Sequence, residues 1–182
     1  PNGAGKSTTI KILMGFIAPS GGTAAIHGLD VTAHGKRIKG FTGYVPSDVR
    51  LYGDMRAEEL FRRNAGFYPA DLKEETERLC ALFGVEGGKR FGEMSSGNKK
   101  KVAIVCALAP RPKVLLLDEP TNGLDPLMQK NLFEELKARA AKGATILLSS
   151  HHLAEVQEYY RRTAFIKEGA ILAVADVSRV TP

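Results

Sequence analysis

Two short stretches of this sequence carry residues able to act together on a phosphate chain. The first is Pro1-Asn2-Gly3-Ala4-Gly5-Lys6-Ser7-Thr8. Residues 1–7 supply every position of the phosphate-loop pattern G-x-x-x-x-G-K-[ST] after its first glycine. Gly3 and Gly5 let backbone N–H groups converge on phosphate oxygens at a helix N-terminus, where the helix dipole favours negative charge. In that pattern Lys6 reaches the β- and γ-phosphates and the Ser7 hydroxyl ligates Mg²⁺, with Thr8 a second hydroxyl at the same helix start. The plainer alternative for this stretch alone is a glycine turn that caps a helix. The second stretch is Val114-Leu115-Leu116-Leu117-Asp118-Glu119, an apolar strand ending in two carboxylates. Open parallel sheets place ligand chemistry at the carboxyl ends of their strands. Asp118 is expected to hold the Mg²⁺ shell and Glu119 to polarise an attacking water. A strand ending in Asp-Glu says little by itself; paired with the loop at the start of the chain it says much more.

The elements that must position these groups are legible as changes of period. Thr8–Phe16 reads as a helix leaving the glycine turn and stopping at Ala18-Pro19-Ser20-Gly21-Gly22. Short strands are expected at Thr23–His27 and Phe41–Val45, then helices at Arg56–Phe67, Asp71–Phe83 and Gly97–Leu108, stopped at Tyr68-Pro69 and Gly84–Gly88. In the last third, Val114–Leu117, Thr145–Leu148 and Thr163–Ile166 are unbroken apolar runs, expected as strands buried on both faces of a mostly parallel sheet. Helices at Leu127–Ala141 and Leu153–Tyr160 separate them. The expectation is an α/β core carrying a helical insertion over residues 50–108, in one domain spanning 1–182.

Composition bounds the remaining possibilities. The chain has 182 residues, 43% hydrophobic and 25% charged, enough for one domain with a sizeable core. No apolar run approaches the roughly 20 residues of a membrane-spanning helix, and the first residues do not form a secretory signal. The net charge of +6 comes from 26 basic residues spread among 20 acidic ones, without interleaved aromatics, so no direct nucleic-acid binding is expected. Cys80 and Cys106 form no CxxC pair and read as core thiols in a reducing compartment.

Further motifs, in order, resemble those of the ATP-binding cassette (ABC) proteins. Met94-Ser95-Ser96-Gly97-Asn98 is similar to the family's Leu-Ser-Gly-Gly-Gln signature. Pro120-Thr121-Asn122-Gly123-Leu124-Asp125-Pro126 is similar to the loop linking two ATP sites, and Leu147-Leu148-Ser149-Ser150-His151 to the strand that ends in the switch histidine. The resemblance implies a P-loop NTPase (RecA-like) fold with a helical signature subdomain, ATP and Mg²⁺ as ligands, and ATP hydrolysis. It implies ATP contacts from Asn2 to Thr8, catalytic roles for Lys6, Glu119 and His151, and metal contacts from Ser7 and Asp118. It also implies that Ser95, Ser96, Gly97 and Asn98 meet the γ-phosphate held by a second copy or a related cassette.

Several positions leave alternatives open. Asp125 either holds loop geometry across such a dimer or caps the helix that starts at Pro126. Lys99, Lys100 and Lys101 oppose the dipole of their helix, so either an anion lies near or they are solvated. His151 and His152 as a zinc pair is disfavoured, because adjacent helical residues do not face one another. The family's Mg²⁺-sensing glutamine falls at Ser47, too short to reach without a water, with Asp48 a possible substitute. The signature departs at Met94, Ser96 and Asn98.

The resemblance is closest to exporter cassettes that pair with a separate membrane-spanning subunit, which implies a cytoplasmic chain held at the membrane by its partner. The competing readings are a nucleotide-binding regulatory subunit with little turnover and a non-transport cassette acting on ribosomes or DNA. A phosphate loop is normally fed by a buried strand, so the family's first strands are expected to lie before Pro1.

Overall fold

A computed structural model of the chain describes residues 3–50, 53–151, 159–160 and 162–176. Helix α1 (Lys6–Leu13) leaves the glycine turn and is followed by a small antiparallel pair, β1 (Ala25–Ile26) and β2 (Leu29–Asp30), and by a short helix α2 (Gly35–Lys39). Strand β3 (Thr42–Val45) leads into three helices, α3 (Ala57–Ala65), α4 (Lys73–Phe83) and α5 (Ser96–Leu108). Then come β4 (Val114–Asp118), α6 (Pro126–Ala141) and β5 (Thr145–Ser149), and finally the hairpin of β6 (Arg162–Lys167) and β7 (Ala170–Asp176).

The central sheet is parallel, ordered β3-β4-β5, with Tyr44 opposite Leu116 and Asp118 opposite Ser149. All five residues of β4 are buried, and alternation along the strand decides what each meets. Val114 and Leu116 join Ile10 of α1 and Met14 at its C-cap, whereas Leu115 and Leu117 join the cluster containing Val102, Val105 and Leu108 of α5 and Leu132 and Leu136 of α6. Asp118, two residues beyond Leu116, thus continues the parity that faces α1 and the phosphate loop. That period-two arithmetic brings the two chemical stretches together.

The helical insertion shares the sheet's core: Ala57, Leu60, Phe61, Leu79, Phe83 and Phe91 belong to the same cluster as Val45, Leu115 and Leu117. Helix α5 lies against β3 so closely that a Cβ at Gly43 would overlap the Ala107 carbonyl oxygen. An ionic cluster joins α4, the loop after α5, and α6. Glu75 accepts from Arg78, Arg111 and Arg139, and Arg139 also donates to Glu135 and to the Leu108 carbonyl. Burial pushes the Glu75 carboxyl up, but the hydrogen bonds from Arg78 and Arg111 outweigh it and hold the group at about 2.

Two expectations about the strands need correction. Thr163–Ile166 is not a doubly buried parallel strand; it lies within β6, half of an antiparallel hairpin with largely exposed side chains. The run of apolar residues misled because hairpins also accept such runs when only one face finds cover. Strand β5 is parallel as expected but incompletely buried, with Thr145 and Leu147 exposed. β2, α2 and β7 have no counterpart in the sequence reading, and residues 153–158 of the helix expected over Leu153–Tyr160 lie outside the described residues. Cys80 and Cys106 are free and partly buried, and burial pushes the Cys106 thiol up to about 12, consistent with inert core packing.

Candidate functional site

The phosphate loop closes on glycines in conformations that side chains disfavour: Gly3 at φ 80° and Gly5 at φ 105°, the latter the N-cap of α1. Thr9 seals the first turn by donating both its N–H and its hydroxyl to the Gly5 carbonyl at 2.9 Å. Ala4 is buried, and its carbonyl accepts from the Gly169 N–H in the β6–β7 turn at 3.0 Å. That buttress was not foreseen, because nothing in the local sequence links a turn so near the end of the chain to the loop at its start. Asn2 lies outside the described residues; Ser7 is partly buried and Thr8 exposed.

Lys6, Glu119 and His151 meet. Lys6 Nζ lies 3.5 Å from Glu119 Oε1, and His151 Nδ1 is 2.7 Å from Glu119 Oε2. Glu119 is buried and adopts φ 48°, a left-handed conformation uncommon for a glutamate. Its N–H donates to both the carbonyl (3.1 Å) and the hydroxyl (3.0 Å) of Ser149. The same hydroxyl donates to Asp118 Oδ1 at 2.6 Å. Ser149 therefore holds both acidic residues, a role that the strand motif alone does not reveal.

Asp118 is fully buried, and its Oδ2 has no hydrogen-bond partner among the described residues. An orphaned carboxylate oxygen at 0% exposure is costly unless a cation or a water sits there. The field of this carboxylate extends to Tyr44 on β3, whose phenol is pushed up by burial first and by Asp118 second. Among the described residues no group of three or more His, Cys, Asp or Glu could chelate a metal on its own. Mg²⁺ suits this donor set, because it keeps several waters and takes one or two protein ligands plus phosphate oxygens.

The signature and the linking loop adjoin each other within the chain. Ser95 caps α5 by accepting from the Asn98 N–H at 3.3 Å. Gly97 and Gly123 pack backbone on backbone, and a Cβ on Gly97 would overlap the Gly123 carbonyl oxygen. Asp125 is the N-cap of α6, accepting from the Met128 N–H at 3.0 Å with Pro126 at the first helical position, so the capping reading holds. Of the three lysines, Lys101 has an anion near it, the Asp125 carboxylate, whereas Lys99 and Lys100 follow neither alternative. Lys100 is buried against backbone carbonyls, Lys99 lies over the Phe91 ring, and Lys101 is 3.9 Å from Asp125. Their dipole cost is met by backbone carbonyls at Lys100, a ring at Lys99 and a carboxylate at Lys101. A signal for Lys100 did exist, since it falls on the buried stripe with Ala103 and Ala107. Ser47 has an exposed side chain, and the Asp48 carboxylate is taken by Arg50 Nε at 2.7 Å, which weakens Asp48 as its substitute.

A phosphate loop at a helix start, beside a strand ending in two carboxylates, defines a P-loop nucleotide-binding domain. The family model described as "ABC transporter" matches residues 1–122, and the chain belongs to that family. It is 31% identical over 95% of its length to the probable multidrug ABC transporter ATP-binding protein YbhF of Escherichia coli, covering 31% of that protein. It is 34% identical to the Nod factor export ATP-binding protein I of Paraburkholderia xenovorans, covering 59% of it. The chain thus spans between 31% and 59% of the length of these curated relatives. Among solved structures, an ATP-binding subunit of an ABC transporter superposes with a TM-score of 0.91 at 33% identity, over 97% of this chain and 75% of the other. A dimeric cassette in a post-hydrolysis state bound to ADP and Pi, at 21% identity with a TM-score of 0.86 over 97% of this chain and 82% of the other, shares the fold. No helix among the described residues is long and apolar enough to cross a membrane.

Proposed function

We propose that the chain binds Mg-ATP at residues 2–8 and hydrolyses it to ADP and phosphate as half of a head-to-tail pair of cassettes, powering export through a separate membrane-spanning subunit. The observation that carries this reading is the convergence of Lys6 and His151 on the carboxylate of Glu119, one residue from the half-satisfied Asp118. Lys6 exchanges its contact with Glu119 for the β- and γ-phosphates, which frees Glu119 to orient water for in-line attack. His151 keeps the other carboxylate oxygen in place and is sited to hydrogen-bond the γ-phosphate. Ser7 and Asp118 would hold Mg²⁺, and Ser47, whose exposed side chain is short, would contribute only through a water. The metal neutralises charge on the phosphate oxygens when bound.

Ser95, Ser96, Gly97 and Asn98 serve the γ-phosphate of the partner cassette, and Asp125, beside Lys101, steadies the loop between the sites. Multidrug-transporter and export relatives support the transport reading, and a chain so engaged would sit on the cytoplasmic face of the membrane through its partner. The test is the steady-state ATPase rate of the full-length protein with its partner, beside that of Glu119→Gln. A fall of about 100-fold or more is expected, and equal rates would remove Glu119 from the reaction. Recovery of ribosomal proteins in place of a membrane subunit from detergent-solubilised membranes would refute transport.

A further inference from the structure

A lysine ammonium has three donors and no acceptor, so burying one requires partners for all three. Lys100 is 3% exposed. Its Nζ donates to the carbonyls of Pro46 (2.8 Å), Ser47 (2.7 Å) and, at longer range, Glu119 (3.4 Å). These acceptors lie on two different loops, one leaving β3 and the other leaving β4, adjacent parallel strands whose carboxyl ends frame the nucleotide site. Lys100 itself opens the second turn of α5, one turn past Ser96. A single cation therefore joins the signature helix, the loop at Ser47 and the residue that bears the reactive carboxylate.

What this does to Glu119 follows from its backbone. At φ 48° the residue is in a left-handed conformation that strains a non-glycine side chain and persists only where its surroundings hold it. Its N–H side is fixed by Ser149, and its carbonyl accepts from both the Asn122 N–H at 3.3 Å and Lys100 Nζ at 3.4 Å, of which only Lys100 ties it to another element. Both flanking peptides are held, so the Cα–Cβ bond can point in one direction only, toward Lys6 and His151. Asp118, Asp48 and Glu119 are the charged groups close enough to act on this ammonium. Gly97 against Gly123 and Lys101 beside Asp125 extend the same seam, so the start of α5 and the loop after Glu119 move together.

We propose that Lys100 is a positioning residue for hydrolysis: by tying Glu119 to the loop at Ser47 and to the signature helix, it aims the Glu119 carboxylate without touching nucleotide. The inference rests on the ATPase reading above, and it predicts a split between binding and turnover. In the full-length protein with its partner, Lys100→Met keeps the length of the stem and removes all three donors. Affinity for mant-ATP should change by less than about threefold, because residues 2–8 are untouched, while kcat falls by about 100-fold, the scale of a misaligned reacting group. Lys100→Arg, which restores a cation with several donors, should recover part of the loss.

Hydrogen–deuterium exchange provides a readout independent of turnover. Peptides covering 46–50 and 119–125 should lose protection in Lys100→Met while those of α1 do not. Should the methionine variant fail to fold, Lys100→Gln, with a shorter stem and two donors, carries the same measurements. Retention of kcat within twofold, or unchanged exchange at 119–125, overturns the proposal. So does an equal loss of mant-ATP affinity and kcat, which would mark Lys100 as merely structural. A wild-type protein without ATPase activity would refute the function proposed above, and the exchange data would still decide the role of Lys100.

Discussion

Ser149→Ala isolates the hydroxyl that serves both acidic residues. In the wild type, Ser149 Oγ donates to Asp118 Oδ1 at 2.6 Å and accepts from the Glu119 N–H at 3.0 Å. The substitution removes both, but the Glu119 N–H retains the Ser149 carbonyl at 3.1 Å, so the backbone bond survives. The loss falls on Asp118, a fully buried carboxylate whose other oxygen already has no partner among the described residues. A hydrogen bond to a charged group contributes about 1.5–3 kcal/mol, and its removal leaves the desolvation cost unopposed. We expect about 2 kcal/mol of destabilisation without nucleotide or Mg²⁺, a fall of about 4–8 °C in Tm for a domain of this size. Urea unfolding monitored by circular dichroism measures it, with Ser149→Thr as the control that keeps a hydroxyl on a β-strand and should lose less than half as much. A Ser149→Ala variant within about 0.5 kcal/mol of wild type would show that Asp118 is held by something other than this hydroxyl.

Two more outcomes follow from packing and charge. Gly97→Ala drives a methyl into the Gly123 carbonyl oxygen, so the start of α5 or the loop must give way; a cost of about 1–3 kcal/mol is expected in urea unfolding, and no cost would deny the backbone contact. Glu75 is depressed from 4.5 to about 2, so its contribution is fully present above the unfolded value and is lost as pH falls toward 2. The full shift corresponds to about 3 kcal/mol, reduced to about 2 kcal/mol by solvent screening at the half-exposed Arg78 and exposed Arg111. Glu75→Gln should flatten the stability profile between pH 5 and 2.5, and an unchanged slope would contradict the ionic cluster.

The local patterns were legible because each depends on near neighbours in the chain. Gly3, Gly5 and Lys6 announce a phosphate loop, and Ser95 and Asp125-Pro126 announce helix starts. The run ending in Asp118-Glu119 announces a buried strand with its chemistry at the tip. What no local pattern contains is which distant groups complete a site. Glu119 is held by Lys6 of α1, Lys100 of α5, Ser149 at the end of β5 and His151 just beyond it. Lys100 read as a charge in a basic run until the sheet placed three carbonyls around it. β6 read as a core strand until its hairpin left it largely exposed. Residue type and spacing set the candidates and the elements that carry them. Only the tertiary structure decides partners, because burial and hydrogen-bond satisfaction depend on what the rest of the chain brings alongside.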